Sequence, residues 1–189
     1  MTETGFPLPP DLPVPVDDGA ATHLAKMVLP PLALRATGGE IVTLSALPGP
    51  RAVLYLYPMT GRPGVLLPDG WDLIPGARGC TPEACGFRDH HVGFAHLGAH
   101  VYGLSSQDSA YQQEVVDRLG LTFPLLSDPG LQLAEALRLP TFEVEGKRLY
   151  KRLTMVISNG RVERVFYPMF PPDTHAEEIL SWLASSRLA

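Results

Sequence analysis

Apolar residues cluster along the chain in short runs that favour β-strands. The run at residues 52–57, Ala-Val-Leu-Tyr-Leu-Tyr, is continuous and rich in branched and aromatic side chains. Such a run predicts a central strand that is buried on both faces of a sheet. Shorter apolar runs predict further strands at residues 41–44, 101–104 and 123–126.

Helix signals alternate with these strands. Residues 81–83, Thr-Pro-Glu, predict a helix start with Thr81 as the cap, and we expect this helix to continue to about residue 97. Asp108 predicts the cap of another helix, which Gly120 ends.

The last third of the chain contains the strongest local signal. Asn159 and Gly160 separate the apolar runs 153–157 and 162–167, and Asn-Gly is the preferred two-residue turn of a β-hairpin. Asp173 predicts the cap of a terminal helix. The order of elements predicts an α/β fold with a mixed central sheet, helices on both faces, and a C-terminal hairpin plus helix. It fits a thioredoxin-like fold, although spacing alone does not exclude another small α/β fold.

Residues 1–22 are rich in proline, which fixes φ and removes hydrogen-bond donors. They predict an extended arm that precedes a single domain at residues 23–189. The arm has two interpretations, a strip that binds a partner or a terminus that lies on the surface. A second stretch rich in glycine and proline, residues 58–79, follows the predicted central strand.

Composition and charge narrow the function classes. The chain has 189 residues, of which 45% are hydrophobic and 19% charged, and its formal net charge is −5. These values are typical of one soluble globular domain. The negative charge and the lack of a lysine and arginine cluster argue against nucleic acid as a partner. No apolar run approaches a membrane span, and residues 1–5 show no signal peptide, so we expect no membrane partner and a cytoplasmic location.

The candidate chemistry centres on Cys80 and Cys85, the two cysteines of the chain. In a reducing compartment such a pair is more often catalytic or metal-binding than structural. Cys80 directly precedes the predicted helix start, where unpaired N–H groups and the helix dipole favour an anion. Its thiol is therefore expected to ionise readily, although the negative charge of Glu83 opposes this.

Position alone leaves two other interpretations of the cysteines open. Both can be buried small hydrophobic residues, which is a common fate of free cysteine. They can also bind zinc, although their spacing is unusual for a zinc site. The nearby nitrogen ligands for such a site are His90, His91, His96 and His100.

Residues 79–89, Gly-Cys-Thr-Pro-Glu-Ala-Cys-Gly-Phe-Arg-Asp, closely resemble the active-site helix of peroxiredoxins. The resemblance is greatest to the Q type, also called bacterioferritin-comigratory protein. It continues in the family's order through residues 103–108, 123–128 and 152–157, and covers most of residues 30–187. The resemblance implies a thioredoxin fold, with Cys80 as the peroxidatic cysteine, Cys85 as the resolving cysteine, and Arg152 reaching the Cys80 sulfur.

The sequence departs from the family pattern before Cys80. The family usually has Pro-x-x-x-Thr-x-x-Cys, with the threonine hydroxyl holding the peroxide. Here Pro58 lies 22 positions before Cys80, and Ala77 stands at the threonine's position. Either Thr60 folds back and its hydroxyl holds the peroxide, or backbone donors and another hydroxyl replace the family's threonine. The extra segment, residues 61–76, is expected to form a loop over or beside the active site.

The resemblance also implies a reaction and partners. The chain is expected to reduce hydrogen peroxide and organic hydroperoxides through a Cys80 sulfenic acid and a Cys80–Cys85 disulfide, which thioredoxin or a glutaredoxin-like protein then reduces. No metal, flavin or nucleotide is required, and we expect a monomer or weak homodimer. The alternative is a redox sensor that uses the same disulfide as a switch. A general thiol–disulfide oxidoreductase is a weaker third interpretation, because the pair is not Cys-x-x-Cys.

Overall fold

A computed structural model describes residues 8–186 of the chain, so the first seven residues of the predicted arm lie outside the described residues. Within this range the chain forms nine β-strands and five α-helices. The strands are β1 (Ala33–Ala36), β2 (Ile41–Thr43), β3 (Arg51–Leu56), β4 (Ala99–Ser105), β5 (Leu125–Ser127), β6 (Thr141–Val144), β7 (Lys147–Tyr150), β8 (Leu153–Ser158) and β9 (Arg161–Phe166). The helices are α1 (Cys80–Asp89), α2 (His91–His96), α3 (Ser109–Leu119), α4 (Gln132–Leu137) and α5 (His175–Ser185).

Seven strands form one mixed sheet in the order β2-β1-β5-β4-β3-β8-β9. The predicted central strand, β3, pairs in parallel with β4 and antiparallel with β8. All six of its residues are buried, because it has a neighbour on each edge and a hydrophobic core on each face. The strands β6 and β7 form a separate antiparallel pair, which the sequence did not predict.

The two cores follow the alternation of side chains along β3. Val53 and Tyr55 point into the core that contains residues of α1, α2, α3 and α5. Leu54 and Leu56 point into the opposite core, which contains residues of α4. The predicted α/β class, with a mixed sheet and helices on both faces, is therefore confirmed.

The terminal hairpin forms as predicted, with β8 and β9 joined at Asn159 and Gly160. Both turn residues have positive φ, 49° and 70°, which asparagine and glycine tolerate better than other residues. The terminal helix α5 follows, but the predicted Asp173 cap was wrong. Thr174 occupies the cap position, and no side chain caps α5.

The helix predicted at residues 81–97 is two helices, with His90 between α1 and α2. The ring nitrogen Nδ1 of His90 lies 2.9 Å from the Gly86 carbonyl, which also accepts the backbone N–H of His90 at 3.1 Å. This local side-chain bond accompanies the end of α1. The predicted cap of α3 is present, since the Asp108 side chain accepts the Tyr111 N–H at 2.7 Å.

The described part of the arm lies against the domain. Asp18 forms an ion pair with Lys151 at 2.7 Å and accepts a hydrogen bond from the Tyr167 hydroxyl at 2.8 Å. These hydrogen bonds lower the pKa of Asp18 to about 2. Among residues 8–186, no helix has the length and apolar character needed to cross a membrane.

Candidate active site

Cys80 is the first residue of α1, and Gly79 holds the cap position with a φ of 106°. Thr81 therefore lies in the first turn and does not cap the helix as predicted. A Cβ at position 79 would lie 2.3 Å from Cγ of Pro172, so only glycine fits here without displacing a neighbour. Cys80 itself is buried and 4% exposed.

Arg152 lies directly against the Cys80 sulfur. Its Nη2 donates to Cys80 Sγ at 3.2 Å, and the same nitrogen donates to the carbonyls of Ala77 and Arg78 at 3.4 and 3.3 Å. The guanidinium is buried in the segment between β7 and β8. The structure thus places Arg152 where the family resemblance locates it.

The other side of the Arg152 guanidinium pairs with Glu83. Nη1 donates to Glu83 Oε2, and both side chains are buried. Glu83 follows Cys80 by three positions, so both side chains lie on one face of α1. Burial raises the pKa of Glu83 to about 7, and the charge of Arg152 acts in the opposite direction. The Arg152 guanidinium therefore pairs with two acidic groups, the Cys80 thiol and the Glu83 carboxyl.

The pKa of the Cys80 thiol is raised in this form of the protein. Burial is the main cause, and the negative charge of Glu83 adds to it. The charge and hydrogen bond of Arg152 lower the pKa, as does a hydrogen bond from the Met59 backbone N–H. The expectation of a readily ionised thiol is thus not met, because desolvation outweighs these favourable contacts.

Thr60 is buried beside the site, and its hydrogen bonds lead away from Cys80. Its hydroxyl donates to Gln107 Oε1 at 3.1 Å, and its carbonyl accepts from the Tyr111 hydroxyl at 3.0 Å. Among the hydrogen bonds within residues 8–186, none joins Thr60 to Cys80. Ala77, at the family's threonine position, contributes only its carbonyl, 3.6 Å from Cys80 Sγ. The predicted catalytic role of Thr60 therefore has no contact to support it here.

The segment at residues 61–76 forms a wall of the pocket that contains Cys80. The pocket has a volume of about 440 Å³, and its lining includes Gly61, Arg62, Val65 and Trp71 from this segment. Trp71 is 4% exposed. It belongs to a small core of buried residues, Trp71, Ala77, Val144 and Leu149, against which Met59, Leu67, Ile74 and Phe142 also pack. The segment is thus anchored on β6 and β7.

Cys85 lies further along α1, and both cysteines are free thiols. Two cysteines five residues apart in a regular helix have Cα atoms about 8.7 Å apart, whereas a disulfide requires less than about 7 Å. Burial raises the pKa of Cys85, and Arg88 opposes the shift through its charge and a hydrogen bond. Within residues 8–186, no three histidine, cysteine or acidic side chains are arranged to hold a metal ion.

Comparison with known proteins identifies the family. The family model for redoxin matches residues 21–180. The chloroplastic peroxiredoxin Q of Sedum lineare is 31% identical over 156 residues, which cover 82% of this chain and 75% of that protein. The chain belongs to the redoxin family and is a peroxiredoxin of the Q type.

Other relatives agree with this assignment. The chloroplastic peroxiredoxin Q of Oryza sativa subsp. japonica is also 31% identical, and the match spans 64% of its length. Among solved structures, the peroxidoxin BcpB of Mycobacterium tuberculosis has 28% identity and a TM-score of 0.70, covering 87% of this chain and 98% of BcpB. The peroxiredoxin Q of Xanthomonas campestris has 24% identity and a TM-score of 0.66, and the match covers 94% of this chain and 99% of that protein. This likeness supports the thioredoxin-like fold.

Sequence reasoning on this peroxiredoxin missed two residues of the site. It treated Glu83 only as a first-turn charge, although the three-residue spacing from Cys80 was a signal that they share a helix face. It did not single out Thr81 for the pocket, but Thr81 lines the pocket beside Cys80 and carries a hydroxyl. Its position directly after Cys80 was the available signal.

Proposed function

We propose that this peroxiredoxin is a thiol-dependent peroxidase that reduces hydrogen peroxide and organic hydroperoxides through Cys80. The observation that carries the proposal is the contact of Arg152 Nη2 with Cys80 Sγ at 3.2 Å, at the wall of a pocket large enough for substrate. A buried cation beside a thiol stabilises the thiolate, which is the nucleophilic form.

In the first step, the Cys80 thiolate attacks one oxygen of the peroxide. An S–O bond forms and the O–O bond breaks, which leaves a sulfenic acid and an alkoxide or hydroxide that takes up a proton to become an alcohol or water. Arg152 contacts the sulfur and is placed to stabilise charge during the transfer. The Met59 N–H also lowers the pKa of the thiol. We propose Thr81, which lines the pocket, as the substrate-binding hydroxyl, because Gln107 already binds the Thr60 hydroxyl.

In the second step, the Cys85 thiol attacks the Cys80 sulfenic acid. The S–S bond forms and the oxygen leaves as water. Because the two Cα atoms are too far apart in a regular helix, the first turn of α1 has to unwind before the bond closes. Gly86, directly after Cys85, lowers the helix stability by about 1 kcal/mol relative to alanine and favours this change.

Recycling requires two electrons from outside the chain. A dithiol protein of the thioredoxin or glutaredoxin kind is the proposed donor, and it reduces the disulfide through a mixed disulfide. We propose that this happens in the cytoplasm, with the enzyme as a monomer or weak homodimer.

The second candidate function is a redox sensor that forms the same disulfide without efficient turnover. Two observations favour it, namely the raised pKa of the buried Cys80 thiol and the alanine at the family's threonine position. Both lower the expected rate of the first step.

Steady-state peroxide consumption with a thioredoxin system distinguishes the two functions. The peroxidase is expected to consume many equivalents of peroxide per chain, and Cys80→Ser is expected to abolish consumption. Stoichiometric oxidation followed by no turnover, with either thioredoxin or glutaredoxin as reductant, would favour the sensor. The Ser158→Ala variant, on β8 outside the pocket, is the matched control.

A further inference from the structure

The pocket at Cys80 is much larger than hydrogen peroxide requires. Its volume is about 440 Å³, which falls within the range of about 300–1,000 Å³ for sites that hold small organic ligands. A water molecule in the liquid occupies about 30 Å³, and hydrogen peroxide has only one more oxygen. Most of the pocket is therefore available to the organic part of a larger hydroperoxide.

One part of the pocket wall is apolar. Leu8 of the arm and Val65, Leu67 and Trp71 of the segment at residues 61–76 line it. Val65 is 58% exposed, so a bound alkyl chain would remove apolar surface from water. This wall favours a substrate with an alkyl tail.

Another part of the pocket wall has more arginines than carboxylates to pair with them. Arg62, Arg78 and Arg118 line the pocket, whereas no Asp or Glu of the described residues does. Arg78 pairs with Asp72 at 3.0 Å. Arg62 and Arg118 share a single partner, Glu114, at 3.4 and 2.7 Å. Two guanidinium groups against one carboxylate leave one positive charge in excess.

The shared arginines are held in place but keep donors for a ligand. The Arg62 guanidinium lies over the Tyr111 ring, 4.3 Å from its centroid. Nη2 of Arg118 donates to the Gly61 carbonyl at 3.0 Å. Within residues 8–186, Nε is the one Arg62 nitrogen with a hydrogen-bond partner, so its two terminal nitrogens can donate to a ligand. The planar fork of an arginine matches a carboxylate.

We propose that Arg62 and Arg118 form a carboxylate-binding subsite, and that the favoured substrates are hydroperoxides with a carboxylate on an apolar chain. The alkyl chain lies on Leu8, Val65 and Trp71, the carboxylate on the two arginines, and the peroxide at Cys80 Sγ. The proposal rests on the proposed peroxidase function, and the reaction is the same: the hydroperoxy acid becomes the hydroxy acid as Cys80 becomes the sulfenic acid. The segment at residues 61–76 supplies Arg62 and most of the apolar wall.

The test compares a hydroperoxy fatty acid with its methyl ester, both below their micelle concentrations, in stopped-flow oxidation of the reduced enzyme. A charge-assisted hydrogen bond predicts a second-order rate constant about tenfold higher for the acid than for the ester. Added salt should reduce this ratio, because part of the attraction is between exposed charges. Arg62→Gln and Arg118→Gln should each bring the ratio towards one. Arg164→Gln on β9, which loses the same charge outside the pocket, should keep it.

Because Arg118 also holds the Gly61 carbonyl, a binding measurement complements the kinetics. The unreactive hydroxy acid is expected to bind Cys80→Ser by calorimetry at least about fivefold more tightly than its methyl ester. Equal rates and equal affinities for acid and ester would overturn the subsite, as would an equal loss of the ratio in Arg62→Gln and Arg164→Gln. If neither hydrogen peroxide nor the ester is reduced, the peroxidase proposal itself fails.

Discussion

Arg152 lies between two acidic groups that share its charge, the Cys80 thiol and the Glu83 carboxyl. Its Nη2 donates to the sulfur at 3.2 Å, and its Nη1 pairs with Glu83. The guanidinium favours the charged form of each group, whereas a charge on either group disfavours a charge on the other. The protonation of Cys80 is therefore coupled to that of Glu83.

Replacing Arg152 tests one half of this coupling. Arg152→Met removes the cation and the hydrogen bond that lower the Cys80 pKa, so the thiol pKa should rise and the first oxidation should slow. The measurement is the pH profile of Cys80 alkylation in a Cys85→Ser background, with Arg161→Met on the exposed turn side of β9 as control. A profile identical to that of the control would show that Arg152 does not act on the thiol.

Replacing Glu83 tests the other half, with the opposite sign. The negative charge of Glu83 raises the Cys80 pKa, so Glu83→Gln should lower it and move the alkylation profile to lower pH. Glu178→Gln, on the exposed side of α5, removes the same charge at a distance and should leave the profile in place. A Glu83→Gln profile at higher pH would contradict the proposed competition for Arg152.

At the residue scale the sequence predicted the contact between Cys80 and Arg152 better than the surroundings of these two residues. Cys80 and Arg152 were named because the motif order places them, and the structure brings them into contact. The burial of Glu83 was not predicted, because a glutamate in a first helical turn is usually exposed and favoured by the helix dipole. Thr60 was named for its hydroxyl, but position along the chain does not reveal that Gln107 already binds it.

At the scale of elements, the proposed cycle gives α1 two tasks that require different conformations. As a helix it presents Cys80 to Arg152, and we propose that it partly unwinds to let Cys85 reach the Cys80 sulfur. The structure shows the helical form, with residues 80–89 in one continuous helix and both thiols free. The stability of α1 should therefore control the second step and not the first.

Gly86→Ala separates these steps. A Cβ at position 86 would lie 3.4 Å from the Asp173 carbonyl and 3.6 Å from the Ala176 Cβ, so alanine fits in ordinary contact. Alanine stabilises a helix by about 1 kcal/mol relative to glycine, which should slow disulfide closure about fivefold. Sulfenic acid formation in a Cys85→Ser background should not change. The control is Gly130→Ala, which lies outside α1, and unaltered closure in Gly86→Ala would argue against unwinding.

The segment at residues 61–76 is the second element with a role at the site. Trp71→Ala should remove the anchor of the small core on β6 and β7 and cost about 3–5 kcal/mol of local stability. Hydrogen exchange should rise in residues 61–76 and 141–150 but not in β3 or β8. The control is Trp182→Ala on α5. Its increase in hydrogen exchange should appear in the core that contains residues of α1, α2, α3 and α5. Increased exchange throughout the sheet would show that the small core is not separate.

The pair of strands β6 and β7 was not predicted from the sequence. Residues 142–145, Phe-Glu-Val-Glu, alternate between apolar and charged side chains, but over only four positions. Residues 147–150 do not alternate, because the adjacent Leu149 and Tyr150 are both buried, Leu149 in the small core and Tyr150 in the core that contains residues of α4. The break between α1 and α2 was also missed. It lies at His90, whose ring nitrogen Nδ1 is 2.9 Å from the Gly86 carbonyl, a contact that the sequence pattern does not reveal.

At the scale of the whole molecule, the site is built on two strands in the interior of the sheet. β3 and β8 are buried along almost their whole length, and both lie beneath the site. Their runs of apolar residues predicted this part well, because strands buried on both faces leave a continuous pattern in the sequence. Cys80 and the segment at residues 61–76 follow the carboxyl end of β3 and line the pocket.

The measurement that tests the account most directly is mass spectrometry of the reduced protein after one equivalent of hydrogen peroxide. The natural chain should lose two hydrogens, and digestion should yield a peptide in which Cys80 and Cys85 are joined. Cys85→Ser should gain one oxygen at Cys80, and Cys80→Ser should stay unmodified. Oxidation of Cys80→Ser together with an unreactive Cys85→Ser would reverse the two roles and contradict the account.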